Sequence, residues 1–145
     1  MNALVYMPRS ARPFVRFLVG KREDDAAWLH GVFRFDEAAG ETATAEQQAS
    51  LRQAYKWFNE HVKVPPRSAL REPPGTACWF RSDAGEALGK ISELAKLLQE
   101  LGTEIRLIKS DRPGTIVYYD DHQIVTLRPR PGRRRDCYWE ATLDG

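Results

Sequence analysis

The stretch SDAGEALGKISELAKLLQELG, residues 82–102, decides the fold. Asp83 and Glu86 stand three apart at its start, which is the pattern of a capping box with Asp83 as the cap. Gly102 is a typical residue at a helix C-terminus. Apolar residues recur between these ends with the spacing of one helix face: Ala84, Ala87, Leu88, Ile91, Leu94, Ala95 and Leu98. The stretch therefore predicts one long amphipathic helix.

Segments with strand character lie on both sides of this helix. They are rich in β-branched and aromatic residues, at 77–80 before the helix and at 104–109, 115–119 and 123–128 after it. Residues 137–143 are a further candidate. We predict an α+β fold, a two-layer β-α-β-β-β sandwich with a mixed sheet and one long covering helix. The strands around the helix should be parallel neighbours or near neighbours, and the last strands an antiparallel meander.

A smaller, mainly helical part is predicted before this core. Thr44 and Gln47 form a second capping-box pattern, and the helix that follows should end near His61, before Pro65 and Pro66. Its apolar face consists of Leu51, Ala54, Tyr55, Phe58 and Val62. The spacing within residues 24–35 fits a helix or a short strand, and acids at its start favour the helix. We expect an N-terminal part at 1–62, a Pro-rich connection at 63–76 and a sheet core at 77–145, in one compact unit.

Composition limits the class of protein. The chain has 145 residues, 22 Lys+Arg and 20 Asp+Glu, so its net charge of +2 is too small to indicate nucleic-acid binding by itself. The start has no secretory signal pattern, and no apolar run is long enough for a membrane span, so we expect a cytoplasmic location without membrane contact. Cys78 and Cys137 lie in strand-like segments and are expected to be buried thiols.

Several short motifs resemble those of a group of small bacterial proteins that have no established activity. The motifs are KWFNEH at 56–61, VPPR at 64–67, CWF at 78–80, DRPG at 111–114 followed by IVY at 116–118, and DHQIV at 121–125. The resemblance covers roughly residues 50–128. It implies a bacterial origin and a single module, and it implies no chemistry.

Four residues are the candidates for catalysis: Asp120, Asp121, His122 and His61. Two carboxylates beside an imidazole could hold a divalent cation or act in acid–base chemistry. The alternative is a hairpin turn at 120–122, since Asp favours turns for backbone reasons, and a histidine that interacts with the helix dipole. No pair of histidines has metal-ligand spacing, and no nucleotide-binding glycine motif is present, so we predict neither a metal nor a cofactor.

The segment between residues 128 and 135 is the strongest candidate for binding. It contains five arginines and no acid, and two prolines and a glycine keep it out of regular structure. Guanidinium groups bind phosphates or acidic protein surfaces, and aromatic residues nearby in sequence could stack on unpaired bases. The predicted binding residues are Arg128, Arg130, Arg133, Arg134, Arg135, Tyr138 and Trp139, with Tyr118 and Tyr119 as further aromatics.

Three hypotheses about function follow. The first is a non-enzymatic binding protein that docks onto a larger protein or nucleoprotein complex through the arginine segment and the sheet surface. The second is a small metal-dependent or toxin-like nuclease that uses the four catalytic candidates. The third is a structural protein that self-associates through a sheet edge. Residues 76–145 contain 11 basic and 11 acidic side chains, so a basic patch requires that the fold separate the charges onto different faces.

Overall fold

The computed structural model describes residues 7–19, 30–31, 43–65, 76–127 and 137–142. The strands are β1 (Phe14–Val19), β2 (His30–Gly31), β3 (Thr76–Phe80), β4 (Ile105–Arg112), β5 (Ile116–Tyr119), β6 (Gln123–Leu127) and β7 (Cys137–Ala141). The helices are α1 (Ala45–His61) and α2 (Gly85–Glu100). The predicted α+β class is confirmed. Neither of these helices is long and apolar enough to cross a membrane.

Strand β1 lies in the middle of the sheet. The strand order is β5-β6-β3-β1-β4-β7, and β2 also pairs with β1. β4 pairs antiparallel with all six residues of β1. On the other edge of β1, β3 pairs where Val15 lies opposite Phe80, and β2 pairs near the end of the strand. A segment near the start of the chain therefore joins the two halves of the sheet.

This order corrects the predicted sheet. The strands around α2, β3 and β4, are parallel in direction and lie one strand apart, in agreement with the expected near neighbours. Every pairing in the described ranges is antiparallel, so the predicted mixed sheet is not confirmed. β4 and β5 do not form a meander, because β4 pairs with β1 and β7 while β5 pairs with β6 at the far edge. The order differs from the predicted one because β1 lies between β3 and β4 and hydrogen-bonds to both strands.

Within the described residues, the N-terminal part contributes two strands to the sheet as well as helix α1. Its first strand, β1, is buried on both faces, so it lacks the alternation by which a half-buried strand is recognised. The favoured helix over residues 24–35 is wrong at His30–Gly31, which pair with β1 because the edge of β1 beyond β3 accepts a strand. The remainder of that segment and residues 66–75 of the Pro-rich connection lie outside the described residues.

Helices α1 and α2 pack together on one face of the sheet. Their buried apolar side chains meet those of β1 and β4 in one core, so the predicted covering helix is one of two. This core contains Leu51, Phe58, Ile91, Leu94, Ala95, Leu98, Val15, Phe17 and Ile105. Each helix thereby removes one apolar face from water, which is the main favourable contribution to folding.

A second core lies on the opposite face of the sheet. It is built from side chains of four strands and of the short segment before β1: Met7, Ala11, Phe14, Leu18, Ala77, Trp79, Ile108 and Ile124. Side chains alternate along β3, so Ala77 and Trp79 share this face and Cys78 points away from it. Cys78 is exposed, which corrects its predicted burial. The side chain of Cys137 lies outside the described residues.

The two capping predictions have different outcomes. For α1 the capping box is confirmed: the N–H of Gln47 donates to Thr44 Oγ1 at 3.1 Å, and the N–H of Thr44 donates to Gln47 Oε1 at 2.9 Å. For α2 the capping box is wrong. Its N-cap is Ala84, without a side-chain hydrogen bond. The Asp83 carboxylate binds the Arg81 guanidinium instead, since a two-pronged charge-assisted pair is stronger than a cap.

Candidate functional site

Asp120 organises the turn between β5 and β6. Its Oδ1 accepts hydrogen bonds from the backbone N–H groups of His122 at 2.8 Å and Gln123 at 3.0 Å. Its Oδ2 accepts from the Tyr118 hydroxyl at 2.7 Å and from Gln123 Nε2 at 3.2 Å. Burial raises the pKa of Asp120, but these hydrogen bonds together outweigh burial and hold the pKa below its usual value. The carboxylate is therefore ionised and fully engaged within the turn.

Arg81 connects the end of β3 to this turn. Its Nη1 donates to the Asp120 carbonyl oxygen at 2.9 Å, and its backbone N–H donates to the His122 carbonyl oxygen at 2.9 Å. Its Nε and Nη2 donate to the two carboxylate oxygens of Asp83 at 2.9 and 2.7 Å. The hydrogen bond from Arg81 is the main cause of the lowered pKa of Asp83. The guanidinium is thus held by two elements of the fold.

The turn also contacts the segment that follows α1. The Nε2 of Gln123 donates to the Lys63 carbonyl oxygen at 2.6 Å. His61, two residues earlier, stacks on Trp57 with ring centroids 4.5 Å apart and an interplanar angle of 9°. Its Nδ1 lies 2.8 Å from the Trp57 carbonyl oxygen, and because a carbonyl only accepts, Nδ1 donates in this hydrogen bond. The fold therefore brings the region of His61 towards the turn that contains the other three catalytic candidates.

Of these four residues, Asp120 and His61 have side chains that are hydrogen-bonded within the fold. Asp120 holds the turn, Asp121 is exposed, His122 is half-buried, and His61 packs against its own helix. No group of three or more His, Cys, Asp or Glu residues that could hold a metal ion occurs within the described part of the chain. The arrangement connects the segment after α1, the end of β3 and the β5–β6 turn.

Only some of the predicted binding residues lie within the described ranges. The arginines at 128–135 lie outside them. Tyr138 and Trp139 lie on β7, the strand at one edge of the sheet. Tyr138 is half-buried against the second core, whereas 45% of Trp139 is exposed. The other two aromatics, Tyr118 and Tyr119, lie on β5 at the opposite edge, so the four do not form one stacking surface.

Two cations of β4 lie on the same sheet face as Trp139, and a bulge in β4 brings one of them, Arg112, to this face. Lys109 lies directly opposite Trp139, but the next described pair is Arg112 opposite Cys137, so β4 contains one extra residue there. Side chains of paired residues share a face, and alternate residues of β7 share a face. Lys109, Arg112 and Trp139 therefore lie on the same face of the β4–β7 ribbon. The sequence predicts neither the pairing of Lys109 with Trp139 nor the bulge, without which Arg112 would lie on the other face.

The acid of β7 lies on the other face of this ribbon. Glu140 is opposite Ile108 and forms an ion pair with Arg106. Neither Lys109 nor Arg112 forms an ion pair with any residue in the described ranges. The separation of charges onto different faces, which the sequence could not show, is present here: one face carries cations and an exposed indole, and the other carries a neutralised pair.

Comparison with known proteins adds no relative. No protein-family model, no curated protein and no solved structure matches this chain.

Proposed function

We propose that this protein is a non-enzymatic binding protein that docks onto a larger, negatively charged partner through β7 and the arginines of residues 128–135. The observation that carries the proposal is Trp139, which is 45% exposed on an edge strand that begins two residues after Arg135. Trp and Arg are the residue types most enriched among the side chains that dominate binding energy at interfaces.

The position of Trp139 supports a binding role over a purely structural one. A large aromatic side chain gains most from burial, and the other two described tryptophans, Trp57 and Trp79, pack in the two apolar cores of the sheet. Trp139 is in neither core. Among the described strands, β7 has no neighbour on its outer edge, and the backbone N–H and C=O groups of that edge can pair with a partner. A bound partner would cover both the indole and this edge.

The nuclease hypothesis has less support from the same structure. All four hydrogen bonds to the Asp120 carboxylate come from within the β5–β6 hairpin, and its lowered pKa opposes a role as a general acid at neutral pH. Self-association through the edges at β5 and β7 stays an alternative, and a concentration-dependent mass in sedimentation would reveal it.

The proposal is tested with two fluorescein-labelled polyanions, an unstructured polyglutamate peptide and a single-stranded oligonucleotide, titrated by anisotropy at about 50 and about 200 mM salt. We expect the protein to bind at least one of them, with an affinity that falls as salt rises. The triple variant Arg133→Ala, Arg134→Ala, Arg135→Ala should bind more weakly. For an oligonucleotide, its log–log salt slope should be smaller by about 2.

The matched control removes three exposed cations elsewhere, with Arg52→Ala, Lys63→Ala and Lys96→Ala. It has the same net charge as the triple arginine variant, so a nonspecific effect of charge would weaken both equally. The proposal is wrong if neither polyanion binds the wild-type protein at low salt. Equal affinities of the two triple variants would also contradict it.

A further inference from the structure

The face of the β4–β7 ribbon that carries Trp139 combines two kinds of group. An indole ring is exposed beside two cations, Lys109 directly across the strand pair and Arg112 opposite the residue two positions before Trp139. Two residues along a strand correspond to roughly 7 Å. A stacking surface with two positive charges spaced along its β4 side matches a ligand that repeats a ring and a negative charge at short intervals.

We infer that this face binds single-stranded nucleic acid, with a base stacked on Trp139 and the flanking phosphates bound by Lys109 and Arg112. The inference rests on the proposed function and names the partner for that surface. Unpaired bases stack on aromatic side chains whatever their identity, and the backbone follows nearby cations. In a duplex the bases are already stacked on each other, so the indole has no base to receive.

The carboxylates of an acidic protein would interact with the cations of this surface but not with the indole. Carboxylates could pair with Lys109 and Arg112, but they supply no flat ring for the indole. The charges around Trp139 also favour a polyanion such as a nucleic-acid backbone, because Glu140 lies on the other face and is paired with Arg106. Among the described residues, another acid of this ribbon, Asp111, shares with Ser110 the bulge position opposite Tyr138, on the side of the second core.

The test uses labelled oligonucleotides of about 12 nucleotides, in single-stranded and duplex form, titrated against the full chain. We expect the single strand to bind more tightly than the duplex. Trp139→Ala should weaken single-strand binding roughly 5- to 150-fold, while Trp139→Phe, which keeps a ring, should retain most of the affinity. Because Trp139 is exposed, both variants should keep the wild-type circular dichroism spectrum.

A double variant tests the two cations. Lys109→Gln with Arg112→Gln should lower the log–log salt slope for the single strand by about 1.4. The control pair Arg52→Gln with Lys96→Gln removes the same charge from exposed helix positions and should leave the slope unchanged. A purely structural role of the cations would change the free energy of unfolding and not the salt slope.

The outcomes separate this inference from the proposed function. If polyglutamate binds through Arg133–Arg135 and the oligonucleotides do not bind, the inference is wrong and the proposed function stands. Equal binding of duplex and single strand, or full affinity of Trp139→Ala, also overturns the inference. If neither polyanion binds, both proposals fail.

Discussion

At the scale of single residues, Asp120 shows how a candidate for chemistry becomes a structural group. One carboxylate accepts four hydrogen bonds, two from backbone N–H groups and two from side chains. The backbone carbonyl oxygen of Asp120 accepts a further hydrogen bond, from the Arg81 guanidinium. Asp121, the next residue, is exposed. Two neighbouring residues of one type therefore have different roles, because adjacent positions in a turn face different surroundings.

Replacement of Asp120 by Ala should lower the free energy of unfolding by about 2–3 kcal/mol, because hydrogen bonds to a charged acceptor are lost and their donors stay partly buried. Urea unfolding at neutral pH measures the change. Asp121→Ala serves as the control and should change stability by less than about 0.5 kcal/mol. Equal effects of the two substitutions would show that the turn does not depend on the Asp120 carboxylate.

The pH dependence follows from the lowered pKa of Asp120. A carboxyl with a lower pKa in the folded protein contributes stability above its unfolded value of about 3.9 and loses that contribution as pH falls through the folded pKa. The stability difference between wild type and Asp120→Asn should therefore be constant near neutral pH and shrink below about pH 4. A difference that grows on acidification would contradict the assignment.

At the scale of elements, α1 and α2 begin in different ways although both carry the same sequence signature. Thr44 caps α1 with both hydrogen bonds of the capping box. Asp83 precedes α2, but its carboxylate forms an ion pair with Arg81, two residues before it. A capping pattern is therefore informative only when no cation competes for the side chain.

Thr44→Ala should destabilise the protein by about 1 kcal/mol, because the backbone N–H of Gln47 loses its acceptor. Thermal unfolding monitored by circular dichroism measures this change. Glu46→Ala is the control in the same exposed first helical turn, and it should cost less, since it removes only an interaction with the helix dipole. A larger loss for Glu46→Ala would mean that the cap contributes little.

Another element, the connection between β4 and β5, depends on one glycine. Gly114 has φ +117°, and a Cβ there would lie 2.9 Å from the Leu127 carbonyl oxygen, so both backbone conformation and contact exclude a side chain. We expect Gly114→Ala to lower stability by about 1–3 kcal/mol in urea unfolding. Gly89→Ala, in α2 with open space around it, should be neutral or stabilising. The reverse order would contradict this account.

At the scale of the whole molecule, β1 connects the two halves of the sheet. It hydrogen-bonds to β3 and β4, and its side chains enter both cores, through Val15 and Phe17 on one face and Phe14 and Leu18 on the other. The sheet core expected at residues 77–145 thus lacks its central strand. Long-range pairing of this kind makes local segments depend on each other.

A chain that lacks residues 1–19 should therefore fail to fold cooperatively, because β3 and β4 lose their shared partner and both cores are opened. Near-ultraviolet circular dichroism and urea unfolding measure the loss. A chain that lacks residues 1–5 alone retains β1 and should unfold cooperatively. Cooperative unfolding of the shorter chain would show that the sheet can close without β1.

The sequence by itself determined the local elements of this protein. Helices α1 and α2, the strands from β3 to β7 and the turn at Asp120 were predictable, because apolar spacing, β-branched runs and turn residues act over a few positions. The same local signals pointed to Trp139. The α+β class followed from the order of these segments.

The tertiary structure alone decided which segments are neighbours. The central place of β1 and the bulge that brings Arg112 to the face of Lys109 and Trp139 depend on contacts between residues far apart in the chain. The Asp83 carboxylate binds the Arg81 guanidinium and not the backbone N–H groups at the start of α2, and the spacing of Asp83 and Glu86 does not show which of these it binds. Strand pairing and register are set by the burial of both sheet faces at once, and no local pattern encodes that requirement.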